Sequence, residues 1–450
     1  MPSRFFTPAL VAAVGLALLG CYGVATASWV IGSVEGGWIY KYVRPWTLRP
    51  VLFALLTSAV AAALLRMEAN GRRLWAVLLA WLLLASCAQV ALQSLAPAPL
   101  QELYVSTEAN SFYSLTQQQS AGDLLSRFNR VRLNAPHHAR SNMPGKTILT
   151  YGLELLSANP AILPWLVVIL SNAGALLMFV FVRDIFADTR TALYSAVLYL
   201  FVPSRLFFFP LMNTVTPVVV LASACLLMKW LHGGRTIMAV LFGLSLYGLV
   251  FFEPLPLVMG LLFAALCAFA LHRGWLSVER FVLQCCLVVA TFIATTELVA
   301  LTSGFSLLLA FRQIRSHAVA FNAIEARPYP AWILANLGEF LFATGPAQVV
   351  LFVAASFADR LGPGSRRRDW LDRPIAVVVV GLLAVLIATD LAGINRGEVT
   401  RLWIFLACFF QIPAAYFCAR VPRHGPITAV VTLTAIHAAM ALAMVRFVVP

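Results

Sequence analysis

The chain is dominated by apolar runs of about 20 residues, each long enough to cross a hydrocarbon layer about 30 Å thick as a helix. A backbone in lipid must satisfy its own polar groups, and uninterrupted runs of this length do so as α-helices. Such runs lie near 8–31, 49–66, 74–95, 161–182, 190–208, 212–231, 236–252, 254–272, 279–301, 334–357, 374–393, 402–419 and 427–448. They predict about thirteen spans. The composition agrees, with 61% hydrophobic and 11% charged residues, more apolar surface than a water-soluble domain of this length needs. The expected fold class is all-α, a polytopic transmembrane helical bundle. No internal repeat and no soluble domain stands out.

The formal net charge of +14 in a soluble chain would point to nucleic acid. Here the arginines fall in short loops, the pattern that holds cytoplasmic connections in place. No nucleic-acid partner is therefore expected, and the bilayer itself is the partner. Basic loops carry Arg66, Arg72 and Arg73; Arg183 and Arg190; Lys229 and Arg235; Arg273 and Arg280; Arg360, Arg366, Arg367, Arg368 and Arg373; and Arg420 and Arg423. Every second connection is basic, which predicts a cytoplasmic N-terminus and an outside C-terminus. The segment 41–49 is a mild exception. "LLGC" and "ATAS" resemble signal-peptide features, but the first run is long enough to span and is expected to be retained. The expected location is a bacterial plasma membrane.

Three polar segments then lie outside: 96–160, 302–333 and 391–401. Within the first, Leu124, Leu125, Phe128, Val131 and Leu133 recur at roughly helical spacing among Arg127, Arg130 and Arg132. That pattern predicts an interfacial amphipathic helix, and "FSLLLAFRQIRSHAVAF" at 305–321 predicts another. "ADRLGPGSRRRD" is the linker candidate on the inside.

The charged residues gather on the outer side: Glu102, Glu108, Asp123, His137, His138, Arg140 and Lys146 in the long loop, Glu253 and Glu297 at span ends, Arg312, Arg315, His317 and Arg327 in the second segment, and Arg396, Glu398 and Arg401 in the third. A carboxylate beside several arginines at a membrane surface suits chemistry on a lipid phosphate. Arginine offers paired donors to phosphate oxygens, and a carboxylate can take a hydroxyl proton. Pro144-Gly145-Lys146-Thr147 imitates the end of a nucleotide-binding P-loop, but Arg140 stands where that motif needs its first glycine. The eight cysteines all lie in apolar runs without metal-ligand spacing. They read as small apolar residues, with neither disulfides nor a thiolate metal site expected.

"HARSNMPGKTILTYGLELL" (138–156) resembles the His-Pro-Pro-Gly-type segment of polytopic GT-C glycosyltransferases, which closes their first large outer loop. "YVSTEANSFYSL" (104–115) resembles that loop's acidic segment, an acid followed by an aromatic pair. "LYLFVPSRLFFFPLMNTVTPVVVLASACLL" (198–227), "PAWILANLGEFLFATG" (330–345) and "RGEVTRLWIFL" (396–406) resemble later family segments. The chain departs from the family pattern at Thr107-Glu108, where an aspartate is usual, and at Asn142-Met143, in place of His-Pro. Two helices precede the usual first helix, dividing the chain into N-terminal transmembrane helices (1–73) and a GT-C-like module (74–450) with its outer loop at 96–160.

The resemblance implies transfer of a sugar from a polyprenyl-phosphate donor to a hydroxyl of a glycan, lipid or protein acceptor outside the membrane. It makes Glu108 the general base and puts Arg140, Lys146, Arg396 and Arg401 at the donor phosphate. Tyr113, His138, Asn142, Glu398 and Asp123 support the site, with Asp123 and Glu102 as rival bases. No cofactor is required, no metal site is assigned, and dependence on a divalent metal stays open. Simpler roles stand beside these: a solvated Glu108, loop hydrogen bonds for His137 and His138, a helix-starting turn at Pro144-Gly145, and headgroup contacts for Arg396 and Arg401. Arg205 and Asn213 are expected to satisfy backbone at a turn, and Glu297 to pair or to face a cavity, because a lipid-exposed carboxylate is costly. The main alternative function is a transporter or flippase, which predicts ionisable residues at mid-membrane and a repeat between halves. A ligase or polymerase using similar donors and an inactive scaffold are further alternatives.

Overall fold

A computed structural model describes residues 3–67, 72–358, 370–421 and 424–450. The linker candidate after residue 358 and the loop arginines Arg360, Arg366, Arg367, Arg368 and Arg423 lie outside the described residues.

The chain is an integral membrane protein, an all-α bundle with two small two-stranded pairings. Among the described residues, eight helices have the length and apolarity to cross a membrane: Thr7–Ala25, Arg73–Gln93, Leu163–Phe186, Met212–Gly233, Leu255–His272, Val278–Ser303, Pro374–Leu391 and Gly425–Met444. Arg49–Leu65, Thr236–Phe252 and Ile404–Ala419 are shorter apolar helices.

Two of the expected spans are broken, each for a local reason. The run 334–357 becomes Tyr329–Thr344 and Pro346–Phe357, bent by 98°. Gly345 supplies the corner at φ +103°, a backbone conformation that L side chains rarely adopt and glycine does without penalty. The run 190–208 becomes Thr189–Leu200 and the short helix Pro203–Phe207. Pro203 cannot donate a backbone hydrogen bond and pushes the preceding residue out of the helical region; Val202 sits at ψ 120°.

Hydrophobicity cannot drive helices together within lipid, so packing and polar contacts do. Trp81, Trp230, Trp332 and Trp403 are fully buried. Arg205, also fully buried, is held by Ser171, Asn172 and the Tyr199 carbonyl, with its guanidinium 4.1 Å from the Tyr199 ring centroid. Helix Val278–Ser303 is the exception, with 6% of its span buried. It leans mainly on Thr236–Phe252, so its outward stripe, including Ile293 and Leu301, stays exposed. Glu297 falls on that stripe and is exposed, which corrects the expectation that it is paired or turned toward a cavity.

The polar segments sort to two ends of the bundle. At one end Lys41–Tyr42 pairs antiparallel with Val445–Arg446, and Trp332 donates to the Gly36 carbonyl. The long segment 96–160 joins the same end: Arg132 donates to Gln313 at 3.2 Å and Arg401 to His138 at 3.1 Å. At the other end Arg420 meets Asp188, Tyr194 meets His424, and Arg280 donates to the Gly234 carbonyl. Apart from segment 41–42, which is basic yet joins the first end, each end collects described segments that loop charge assigned to one side. The expected amphipathic helix at 124–133 is two short helices, Ala121–Ser126 and Phe128–Asn134, broken at Arg127; the second pattern forms the helix Leu307–Ile324.

Candidate functional site

The Pro-Gly-Lys stretch acts through packing. Gly145 starts the helix Gly145–Glu154 directly against the backbone of Phe251 and Phe252, where any Cβ would overlap. That contact drives Lys146 inward beside the next residue, Glu253. Lys146 is completely buried, with its Nζ 2.9 Å from Glu253 Oε2 and 2.9 Å from Asn142 Oδ1. The rings of Phe112 and Phe252 flank the ammonium at 6.0 and 5.9 Å. Burial pushes the Lys146 pKa down, the Glu253 carboxylate opposes that shift, and Arg401 adds to it. Thr216 donates a hydrogen bond to the same Glu253 oxygen.

The second half of the site is the loop at 391–401. Gly393 and Gly397 take left-handed backbone, and a Cβ on them would strike Tyr329 and Trp332. Glu398 is also left-handed, at φ +58°, a conformation that costs a non-glycine residue about 1 kcal/mol. It is held there by Arg327 at 3.2 Å and by a short contact to Arg401. Burial alone would raise the Glu398 pKa, but Arg401 and Arg327 outweigh it and hold the carboxyl below its ordinary value. Arg327 also donates to the Arg396 carbonyl at 2.7 Å, and Arg396 donates to the Arg327 carbonyl at 2.8 Å. The 391–401 loop is thereby locked to residue 327, and both guanidiniums are braced on rings, Arg396 on Tyr329 and Arg327 on Phe321.

Between these halves lies a cavity of about 350 Å³, in the size range of small-molecule sites. Arg315, Arg327, Arg396 and Arg401 line it against two acids, Glu253 and Glu398, so the surface facing a ligand is positive. One wall is apolar, built from Leu255, Leu257 and Val258, the end of Pro374–Leu391, and Phe311 and Phe321 from Leu307–Ile324. Several lining residues carry buried polar atoms without a hydrogen-bond partner: Arg327 Nε, Arg401 Nε, His317 Nε2, Asn110 Oδ1 and Asn395 Oδ1. Such atoms are rare in folded proteins, and these five give the cavity hydrogen-bonding capacity that the protein itself leaves unused.

His138 also lines the cavity. Arg401 can only donate, so His138 Nε2 accepts and the ring proton sits on Nδ1. Burial first, then Arg401, His137 and Lys146, push the His138 pKa well below its ordinary value. The ring is a neutral acceptor that orients Arg401.

Of the residues singled out from sequence, His138, Asn142, Arg396, Glu398 and Arg401 line the cavity. Lys146 lies behind the wall and reaches it through Asn142 and Glu253. Glu108, Tyr113, Asp123 and Arg140 are not among the lining residues. Glu108 is exposed on a turn closed by Ser106, whose hydroxyl accepts from the Glu108 and Ala109 amides; its neighbours Ala109 and Asn110 face the cavity instead. Tyr113 packs on Tyr104 at 5.5 Å between ring centroids. Asp123 is exposed and forms a helix-capping pair with Ser120. Arg140 is exposed, and its carbonyl accepts from Arg132.

From sequence, Glu253, Arg327 and His317 are grouped with the 391–401 charges without roles, and they line the same cavity. The signal for Glu253 was present in "FFEPLP", an acid interrupting an otherwise apolar helix end. Asn395 and Asn110 gave no signal, because a neutral amide in a loop is unremarkable until its surroundings are known. Among the described residues, no three His, Cys, Asp or Glu side chains converge as metal ligands. No protein-family model matches the chain, and no curated protein matches it in sequence.

Proposed function

We propose that this protein is an integral membrane glycosyltransferase. It moves a sugar from a polyprenyl-phosphate donor to an acceptor hydroxyl on the extracytoplasmic side, with inversion at the anomeric carbon. The observation that carries this reading is the pairing, in one cavity, of an arginine-rich surface with an apolar wall. An amphiphile with an anionic head fits both parts, and the resemblance of the surrounding segments to GT-C enzymes names the reaction.

Arg327, Arg396 and Arg401 stabilise the phosphate as it leaves, where charge grows from one to nearly two units. Donors already fixed by Glu398, His138 and backbone carbonyls need no reorganisation, and removing one such donor typically costs 10²–10³ in rate, about 3–4 kcal/mol. The leaving group is stabilised by guanidinium charge, and the acceptor must lose its proton to a nearby carboxylate.

The test is transfer in reconstituted vesicles supplied with a panel of labelled polyprenyl-phosphate hexoses and pentoses plus membrane-extract acceptors. The expected result is transfer from at least one donor with release of polyprenyl phosphate, reduced at least ~100-fold by Arg401→Ala. Absence of transfer from every donor, together with movement of labelled lipid between leaflets, would replace this reading with the flippase alternative.

A further inference from the structure

We propose that Glu253, and not the loop acid Glu108, is the catalytic base of this site; the assignment rests on the glycosyl-transfer reading above. A base must reach the acceptor hydroxyl within hydrogen-bonding distance, so it has to be part of the cavity wall. Two carboxylates meet that condition, Glu253 and Glu398. Glu398 is spent, with Oε1 on Arg327 and Oε2 on Arg401.

Glu253 is differently arranged. One oxygen, Oε2, takes both structural partners, the Lys146 ammonium and the Thr216 hydroxyl. Among the described residues, Oε1 accepts no hydrogen bond, and Glu253 is one of the residues that line the cavity. The carboxylate is therefore anchored through one oxygen with the other left for a ligand. Lys146 is fixed in turn by Asn142 and by Gly145, whose close approach to Phe251 and Phe252 sets the distance. The other acids are engaged or elsewhere. Glu339 accepts from the Thr400 amide and hydroxyl and does not line the cavity. Asp390 accepts from Asn336, Glu154 from Thr116 and Gln117, and Glu108 is exposed outside the lining.

The step balances with these groups alone. The acceptor O–H breaks and its proton passes to Glu253 Oε1 as the acceptor oxygen bonds to the anomeric carbon. The bond from that carbon to the phosphate oxygen breaks, and its electron pair leaves on the phosphate. The resulting dianionic polyprenyl phosphate faces Arg327, Arg396 and Arg401.

The test compares Glu253→Gln, Glu253→Asp and Glu108→Gln in vesicles, measuring transfer, donor binding and rescue by sodium azide. Azide is an anionic nucleophile that needs no base, so it separates loss of a base from loss of structure. Glu253→Gln is expected to cut transfer at least ~100-fold, within the range for general-base catalysis, with donor affinity changed less than ~3-fold. Azide is expected to restore donor turnover in that variant as glycosyl azide. Glu253→Asp is expected to keep intermediate activity, and Glu108→Gln to stay within ~3-fold of wild type.

If Glu253→Gln leaves Lys146 unpaired and fails to fold, the Lys146→Met/Glu253→Gln pair removes both charges and carries the same expectation. Transfer near the wild-type rate in either variant, or azide rescue of Glu108→Gln instead, overturns the assignment while leaving the transferase reading intact. A wild-type protein that transfers from no donor defeats that reading itself.

Discussion

The two polar ends of the bundle use the same residue type in opposite ways. At one end each contact closes a connection: Arg420 pairs with Asp188, Arg280 with the Gly234 carbonyl, and Gln284 with both Gly234 and Trp230. At the other, Arg327 and Arg401 share a single carboxylate, keep a buried Nε without a partner and face a cavity. Equal sequence signals, an arginine near the end of a span, thus mark a clasp in one place and a binding surface in the other. The difference lies in whether acceptors on neighbouring segments match the donors in number, which loop charge does not record.

Substitutions sharpen this contrast. The largest effect is expected from Arg401→Ala, which removes a donor held by both His138 and Glu398; transfer should fall at least ~100-fold, while Arg420→Ala at the opposite end should leave transfer within ~2-fold. Lys146→Met comes next. It leaves the Glu253 carboxylate buried without its counter-charge, and breaking a buried pair costs about 3–5 kcal/mol, readable as lost resistance to denaturant in micelles. Adding Glu253→Gln should recover most of that loss, since no lone charge then remains.

Acidification supplies a smaller effect. Burial pushes His137, His138 and His317 below the ordinary histidine range in the folded protein. Above about pH 6.5 these rings are neutral folded or unfolded and contribute nothing to the pH dependence. Below it the unfolded chain takes up protons that the folded chain resists, so stability must fall as pH drops. The melting temperature should decline from pH 7 to 5, and His138→Gln should flatten that decline. The smallest effect belongs to the clasp: Arg420→Ala should cost at most about 1 kcal/mol, because the Arg420–Asp188 pair is partly exposed.

The long helices were legible in the sequence because a run of about 20 apolar residues has few alternatives in lipid. Counting spans also worked as a spatial statement: segment 41–42, although its basic residues go against the loop-charge pattern, forms one antiparallel pair with 445–446. The breaks at Gly345 and Pro203 were less legible, since hydropathy averages over a window and passes across a single corner.

The site was read in part. "RGEVTR" delivers Arg396, Glu398 and Arg401 to the cavity because its glycine at 397 and the left-handed Glu398 fold the loop back onto Arg327. Glu108 does not line the cavity, since the hydrogen bonds of Ser106 and Asn110 turn the two following residues inward in its place. Lys146 looked like a loop cation and is fully buried, because Gly145 lets its helix press against Phe251 and Phe252. Each of these outcomes depends on a contact with a distant segment, which residue type and spacing do not specify.

Photo-crosslinking tests the central claim most directly: a polyprenyl-phosphate sugar carrying a diazirine beside the phosphate is irradiated with the protein in vesicles, and the labelled peptides are mapped. Label in 137–142, 253–258 and 391–401, competed away by unmodified donor and lost in Arg401→Ala, is the predicted result. Competable label confined to 183–190 and 420–421, at the opposite end, would contradict the account.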